Sequence, residues 1–235
     1  ADPVVTDELR DLARISGIPE LPRISIFHAL NSRAVSRRYA ARIGRKYEEL
    51  NLIVAHLGGG ISVSAHHYGK VVDVNNALNG EGPFSPERAG TLPARQLVDL
   101  CFSGKYTYAE IRKMINGRGG LVAHLGTTDV QSIIRWAHAG AEKHKLVLDA
   151  MLYTVAKQVG AMHIALHGQT DAVILTGGIA FNDYCIRGLR EWLEGLAPIV
   201  VIPGEDEMGA LAMNALGVLR GELTLQEYAP EGDAE

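Results

Sequence analysis

Cysteine is nearly absent from this 235-residue chain: only Cys101 and Cys185 occur. Two thiols exclude a disulfide framework and suit a reducing cytoplasm. Charge of either sign is not in large excess, because 23 Lys and Arg face 27 Asp and Glu for a net charge of −4. That balance gives no general drive towards nucleic acid or an anionic membrane. Arg33, Arg37 and Arg38 read as a solvated helix face, since no aromatic stacking pattern accompanies them. No apolar run reaches the roughly 18 residues of a membrane-spanning helix. The opening Ala1-Asp-Pro-Val-Val-Thr-Asp-Glu8 has neither an initiator Met nor a basic-then-apolar leader. It reads as the interior of a longer protein. What remains is ordinary for a soluble globular chain, 47% hydrophobic and 21% charged, with enough length for one large or two small domains.

Glycine, by contrast, is placed with purpose. Two runs of strand-forming residues stop abruptly in glycines: Asn51-Leu-Ile-Val-Ala-His-Leu-Gly-Gly-Gly60 and Asp171-Ala-Val-Ile-Leu-Thr-Gly-Gly-Ile179. Glycine lets the backbone turn sharply and approach a ligand with no Cβ in the way. Loops at such strand ends are where α/β proteins usually hold phosphates and nucleotides. Two of them suggest the two ends of one nucleotide. A dinucleotide-binding dehydrogenase is disfavoured, because no Gly-x-Gly-x-x-Gly joins a strand to a helix with an acidic residue about 20 positions on.

Periodicity and breakers predict helices over 5–19 and 29–44, then a three-stranded meander over 52–57, 61–66 and 71–75. Residues 79–93, rich in Gly and Pro, form the longest loop-like stretch, and a loop of that length in a compact domain is more often functional than idle. Helices follow over 94–102, 107–115, 129–139 and 141–167. A strand over 172–176, a helix near 182–195, a strand over 198–202 and a helix near 206–220 complete a mixed-sheet α/β order. His66 and His67 are adjacent in a strand and point to opposite faces, so they do not share an ion. His163 and His167, at i and i+4, lack a third ligand. These histidines, and His56 near the first pair, read as structural.

His56-Leu-Gly-Gly-Gly-Ile-Ser62, the loop Asp73-Val-Asn-Asn-Ala-Leu-Asn-Gly-Glu-Gly-Pro-Phe-Ser-Pro-Glu-Arg-Ala-Gly90 and Leu175-Thr-Gly-Gly-Ile179 closely resemble the butyrate kinases. These are a branch of the acetate kinase group within the actin-like ATPase superfamily. The similarity runs from Asp2 to about Gly221, and the long loop is its most specific piece. It implies a ribonuclease-H-like mixed sheet with flanking helices, one of two such halves that face each other across an ATP cleft. The first half's Asn-Pro-Gly-Ser-like phosphate loop is not in this sequence. The resemblance therefore implies a remnant of the first domain at 1–3, the second domain at 4–205, and a C-terminal helix and tail at 206–235 that packs on the first domain.

The implied activity is ATP-dependent phosphorylation of a short-chain carboxylate, with Mg²⁺, by a cytoplasmic homo-oligomer. Butanoate is the first expectation; propionate, isobutyrate or acetate, or a nucleotide-binding module without turnover, are the alternatives. By the same resemblance Arg88, His28 and Asp2 are catalytic, Phe27 lines the acyl pocket and Glu207 meets the metal, with Glu205 and Asp206 as rivals in the same turn. Gly58, Gly59 and Gly60 would approach the β- and γ-phosphates. Gly177, Gly178 and Asn182 would meet adenosine and the α-phosphate, and Gly126 and Asp129 would border adenine and ribose. Arginine fits its role on chemical grounds, since transfer between two anions needs fixed, forked, permanently charged donors.

Overall fold

The computed structural model describes residues 7–205 and 207–221. The described residues fall into two compact units that divide between Glu205 and Asp206. The larger unit is built on a five-stranded sheet: β1 (Asn51–Leu57), β2 (Ile61–His67), β3 (Lys70–Val74), β4 (Ala172–Thr176) and β5 (Ile199–Val201). Its order is β3-β2-β1-β4-β5. The meander is antiparallel, with Leu57 opposite Ile61 at the glycine turn. β4 runs parallel to β1, with His56 beside Thr176, and β5 runs parallel to β4. Both glycine-terminated strands therefore end at the same edge of the molecule.

Helices cover both faces. α1 (Asp7–Arg14) and α2 (Ala29–Arg42) precede the sheet. Between β3 and β4 come α3 (Ala94–Cys101), α4 (Tyr108–Ile115), α5 (Leu121–Leu125), α6 (Val130–His138) and α7 (Glu142–Ala165). α8 (Asp183–Leu193) joins β4 to β5. Leu148, Met151, Leu152, Val155, Val159 and Met162 of α7 recur at helical spacing and are buried against Ile53, Ala55, Leu57, Val63 and Leu175. The opposite face packs Leu52, Val54 and Ile174 against Val35 and Ala40 of α2. The smaller unit is described as α9 (Glu207–Leu219), whose last turn closes through Arg220 N–H to Leu216 O and Gly221 N–H to Val218 O.

Two expectations from periodicity are corrected. The helix over 5–19 ends at Arg14, because Ser16 turns the chain by bonding both the N–H and the carbonyl of Ile18. Leu12 and Ile15, 72% and 73% exposed, mark no core stripe. The five-residue α5 was not foreseen; it lies between Gly120 and Gly126, both at positive φ, and is too short to show a period. His66 fits its structural reading. Its Nδ1 lies 2.6 Å from the Tyr47 hydroxyl and its Nε2 2.8 Å from Ser64 Oγ, and burial lowers its pKa to about 3.

Gly177 ties the second strand end to the residues after β5. Its N–H donates to Gly204 O at 3.2 Å, and Gly204 N–H returns a bond to Gly177 O at 3.0 Å. It has φ +87° and ψ 178°, a region only glycine occupies comfortably, and a Cβ there would lie 2.5 Å from Leu57 O. Gly177→Ala should therefore lose about 3 kcal/mol or more in urea unfolding. Gly178→Ala, with open space around its Cβ position, should stay within about 1 kcal/mol of the unsubstituted chain. Equal midpoints for the two variants would contradict this placement.

Candidate functional site

The site begins where β1 ends. In the Gly58-Gly59-Gly60 turn, Gly58 N–H is spent on Gly60 O at 3.1 Å. Gly59 and Gly60 N–H have no intramolecular partner among the described residues, so two amides of the expected three remain for an anion. A side chain at Gly60 would collide with the Arg88 guanidinium. The glycine thus makes room for the arginine as well as for a ligand.

The loop at 79–93 has no regular structure, yet it is pinned at many points. Asn75 Oδ1 accepts from Val63 N–H at 2.7 Å, while its Nδ2 donates to Ile61 O and Glu81 O. The Glu81 carboxylate accepts from Arg23 Nε at 2.6 Å and from Asn76 N–H at 3.0 Å. Ser85 Oγ donates to Gly59 O at 2.6 Å and accepts from Arg88 N–H at 3.2 Å. Gly117 and Gly119 N–H both donate to Glu87 O. These anchors carry Arg88 to the glycine turn, where Nη1 donates to Ala77 O at 2.8 Å. Nε is buried without a hydrogen-bond partner, leaving donors in hand for an anionic ligand.

His28 stands at the N-terminus of α2, with Nδ1 3.0 Å from Ser62 Oγ of β2. Its ring lies flat on that of His56 from β1, with centroids 3.6 Å apart and planes 7° from parallel. Burial lowers the pKa of His28 to about 4; the neighbouring His56 and the Arg88 charge push the same way, and Glu205 opposes them. Burial alone takes His56 to about 4. Both rings are therefore neutral near pH 7, each with one N–H to donate.

His56 was read from sequence as structural, and the structure places it under the His28 ring. It is wholly buried at the centre of the cluster, with Nδ1 2.9 Å from Asn31 Nδ2 of α2. Its Nε2 lies 2.9 Å from Glu205 Oε1, but the two are not aligned as a hydrogen bond. Among the described residues the carboxylates of Glu205 and Glu87 both reach the turn, Glu205 beside Gly58 and Glu87 beside Gly59.

The remaining expected residues are less closely joined. Phe27, half-buried, directly precedes His28. Gly178 opens a short 3₁₀ turn after β4, and Asn182 caps α8 by accepting from Tyr184 N–H at 3.0 Å. Gly126, at φ +75°, ends α5. Asp129 caps α6, accepting from Gln131 N–H, Ser132 N–H and the Ser132 hydroxyl, whose hydrogen bonds lower its pKa. Among the described residues no hydrogen bond ties Gly126 or Asp129 to the histidine cluster. Asp2 lies outside the described residues, as do Asp206 and the Glu207 side chain. Three clustered metal-binding groups are not found among the described residues. The Glu205 and Glu87 carboxylates at the turn do fit Mg²⁺, which needs few protein carboxylates when phosphates and water complete its shell.

Residues 23–200 match the model of the acetokinase family. The chain belongs to that family. It is 70% identical over 231 residues to a probable butyrate kinase of Phocaeicola vulgatus, covering 98% of this chain and 65% of the relative. It is 52% identical over 227 residues to butyrate kinase 1 of Clostridium acetobutylicum, covering 97% and 64%. The chain thus spans about 65% of the length of the first of these curated relatives. Among solved structures, Porphyromonas gingivalis acetate kinase superposes with a TM-score of 0.78 at 24% identity, covering 89% of this chain and 60% of that one. A propionate kinase from Francisella tularensis gives 0.76 at 23% identity, covering 86% and 59%. These likenesses establish the acetokinase fold, the expected ribonuclease-H-like mixed sheet with flanking helices.

Ser85 is the link between the glycine turn and the arginine loop. Ser85→Ala should cost about 1–3 kcal/mol, because Arg88 N–H and Gly59 O both lose a partner. Amide hydrogen exchange at Arg88 should quicken with it. Unchanged stability together with unchanged exchange would show that another contact holds the loop.

Proposed function

We propose that this chain forms the nucleotide-facing part of a butyrate kinase, which transfers the γ-phosphoryl group of ATP to butanoate. The observation that carries this reading is the meeting of Arg88, His28 and His56 at a glycine turn, in a chain whose relatives are named butyrate kinases. A butanoate oxygen attacks the γ-phosphorus in line; the new P–O bond gives butanoyl phosphate as the bond to ADP breaks. No general base is needed, since a carboxylate is already ionised at neutral pH.

Arg88 draws the two anions together and meets the charge that spreads over the transferred oxygens. His28 donates to the same oxygens as a neutral ring. Gly59 and Gly60 N–H face the β- and γ-phosphates. Gly177, Gly178 and Asn182 receive adenosine and the α-phosphate, with Gly126 and Asp129 at the adenine and ribose edge. Phe27 lines the acyl pocket. Mg²⁺, when bound, would neutralise phosphate charge; Glu207 is the carboxylate proposed to hold it, with Glu205 and Asp206 as rivals, and Asp2 is the proposed catalytic carboxylate. ATP supply places the work in the cytoplasm, and we propose a homo-oligomer.

The test is hydroxylamine trapping of acyl phosphate with Mg-ATP and either butyrate or acetate. It is run on this chain and on the chain extended by the part of its relatives that it does not span. Hydroxamate that forms faster with butyrate, and falls about 100-fold or more in Arg88→Ala, is the expected result. No hydroxamate from either protein would overturn the reading.

A further inference from the structure

We infer that Asn31 is a positioning residue: its side-chain amide holds the buried His56 ring in the tautomer with its proton on Nε2, facing the glycine turn. The protons can be counted along four groups. Gly204 O can only accept. The Thr176 hydroxyl lies 3.1 Å from it and donates its single proton there. Thr176 Oγ1 is then an acceptor towards Asn31, 3.3 Å away, which obliges the amide to present its NH₂ and not its carbonyl. The same Nδ2 lies 2.9 Å from His56 Nδ1, so its two N–H bonds serve two acceptors. A ring nitrogen that accepts has no proton of its own. The proton of neutral His56 is therefore on Nε2.

That Nε2–H is placed to matter. It is buried and without an aligned partner. It lies 2.9 Å from Glu205 Oε1 and would lie 3.2 Å from a Cβ at Gly58. An orphaned buried donor is destabilising, and an anionic oxygen at the turn would relieve that. The reversed tautomer would present a lone pair there and repel that oxygen. Four segments meet in this relay: α2 supplies Asn31, β1 His56, β4 Thr176, and the chain after β5 Gly204. The consequence for phosphoryl transfer rests on the kinase reading above; the tautomer does not.

The test is long-range ¹H–¹⁵N NMR of the histidine rings, with the His56 signals assigned by their loss in His56→Gln. Expected for the unsubstituted chain is an unprotonated Nδ1 and a protonated Nε2 in His56. Asn31→Asp replaces the donor by an acceptor and should put a proton on Nδ1. Thr176→Val, which frees the amide to turn over, should give a mixture of tautomers, and it serves if Asn31→Asp does not fold. A proton on Nδ1 in the unsubstituted chain, or folded variants with an unchanged tautomer, would overturn the inference. In the acyl phosphate assay Asn31→Asp should lower kcat about tenfold or more, the scale on which partners that orient a functional histidine act. The expected tautomers without any kinase activity would support the inference and count against the kinase.

Discussion

Burying polar groups on one face of a sheet constrains everything around them, because each must find a partner or cost about 1–3 kcal/mol. On the α7 side, β1 and β4 present the apolar residues Ile53, Ala55, Leu57, Val173 and Leu175. On the α2 side, Leu52, Val54 and Ile174 give way at the strand ends to His56 and Thr176, with Ser62 and Ser64 on β2, all buried. The helix that covers them answers with Asn31, whose amide reaches His56 and Thr176, while Ser36 Oγ donates back to Ser32 O of its own helix. The hydrogen bonds of Ser62 to His28 and of Asn31 to His56 set how the two rings stack.

The second element of the site is a loop that does the work of a rigid element. A loop can hold a charged side chain in one place only if its own backbone is bonded. Asn75, Glu81 and Ser85 supply those bonds, and together they deliver Arg88 beside two neutral rings. Arg88 is the fixed cation in this setting, and low local polarity strengthens its pull on any anion that enters. The histidines add donors without adding charge, since burial keeps them unprotonated near neutrality.

Much of the fold was legible because the strands are apolar runs that stop in glycine. The β4 range predicted from sequence is the one observed, and the meander differs by a residue or so at its ends. Arg88 and His28 were singled out through the family's motifs, and the structure brings both to the glycine turn. The surroundings of His56 were not legible, because they come from far away in the chain: Asn31 stands 25 positions before it, and 145 before Thr176. The rigidity of the 79–93 loop was hidden for the same reason, since Ser85 is anchored to Gly59, 26 positions earlier. Helical spacing misled at α1, where Leu12 and Ile15 face solvent.

In the proposed function the glycine-terminated ends of β1 and β4 together receive one nucleotide. The most direct measurement is a map of backbone amide shifts in the chain as millimolar Mg-ADP is added. Gly59, Gly60, Gly177 and Gly178 should shift together along a single saturable curve. Shifts confined to one strand end, or found only on the outer face of α7 and α8, would contradict it.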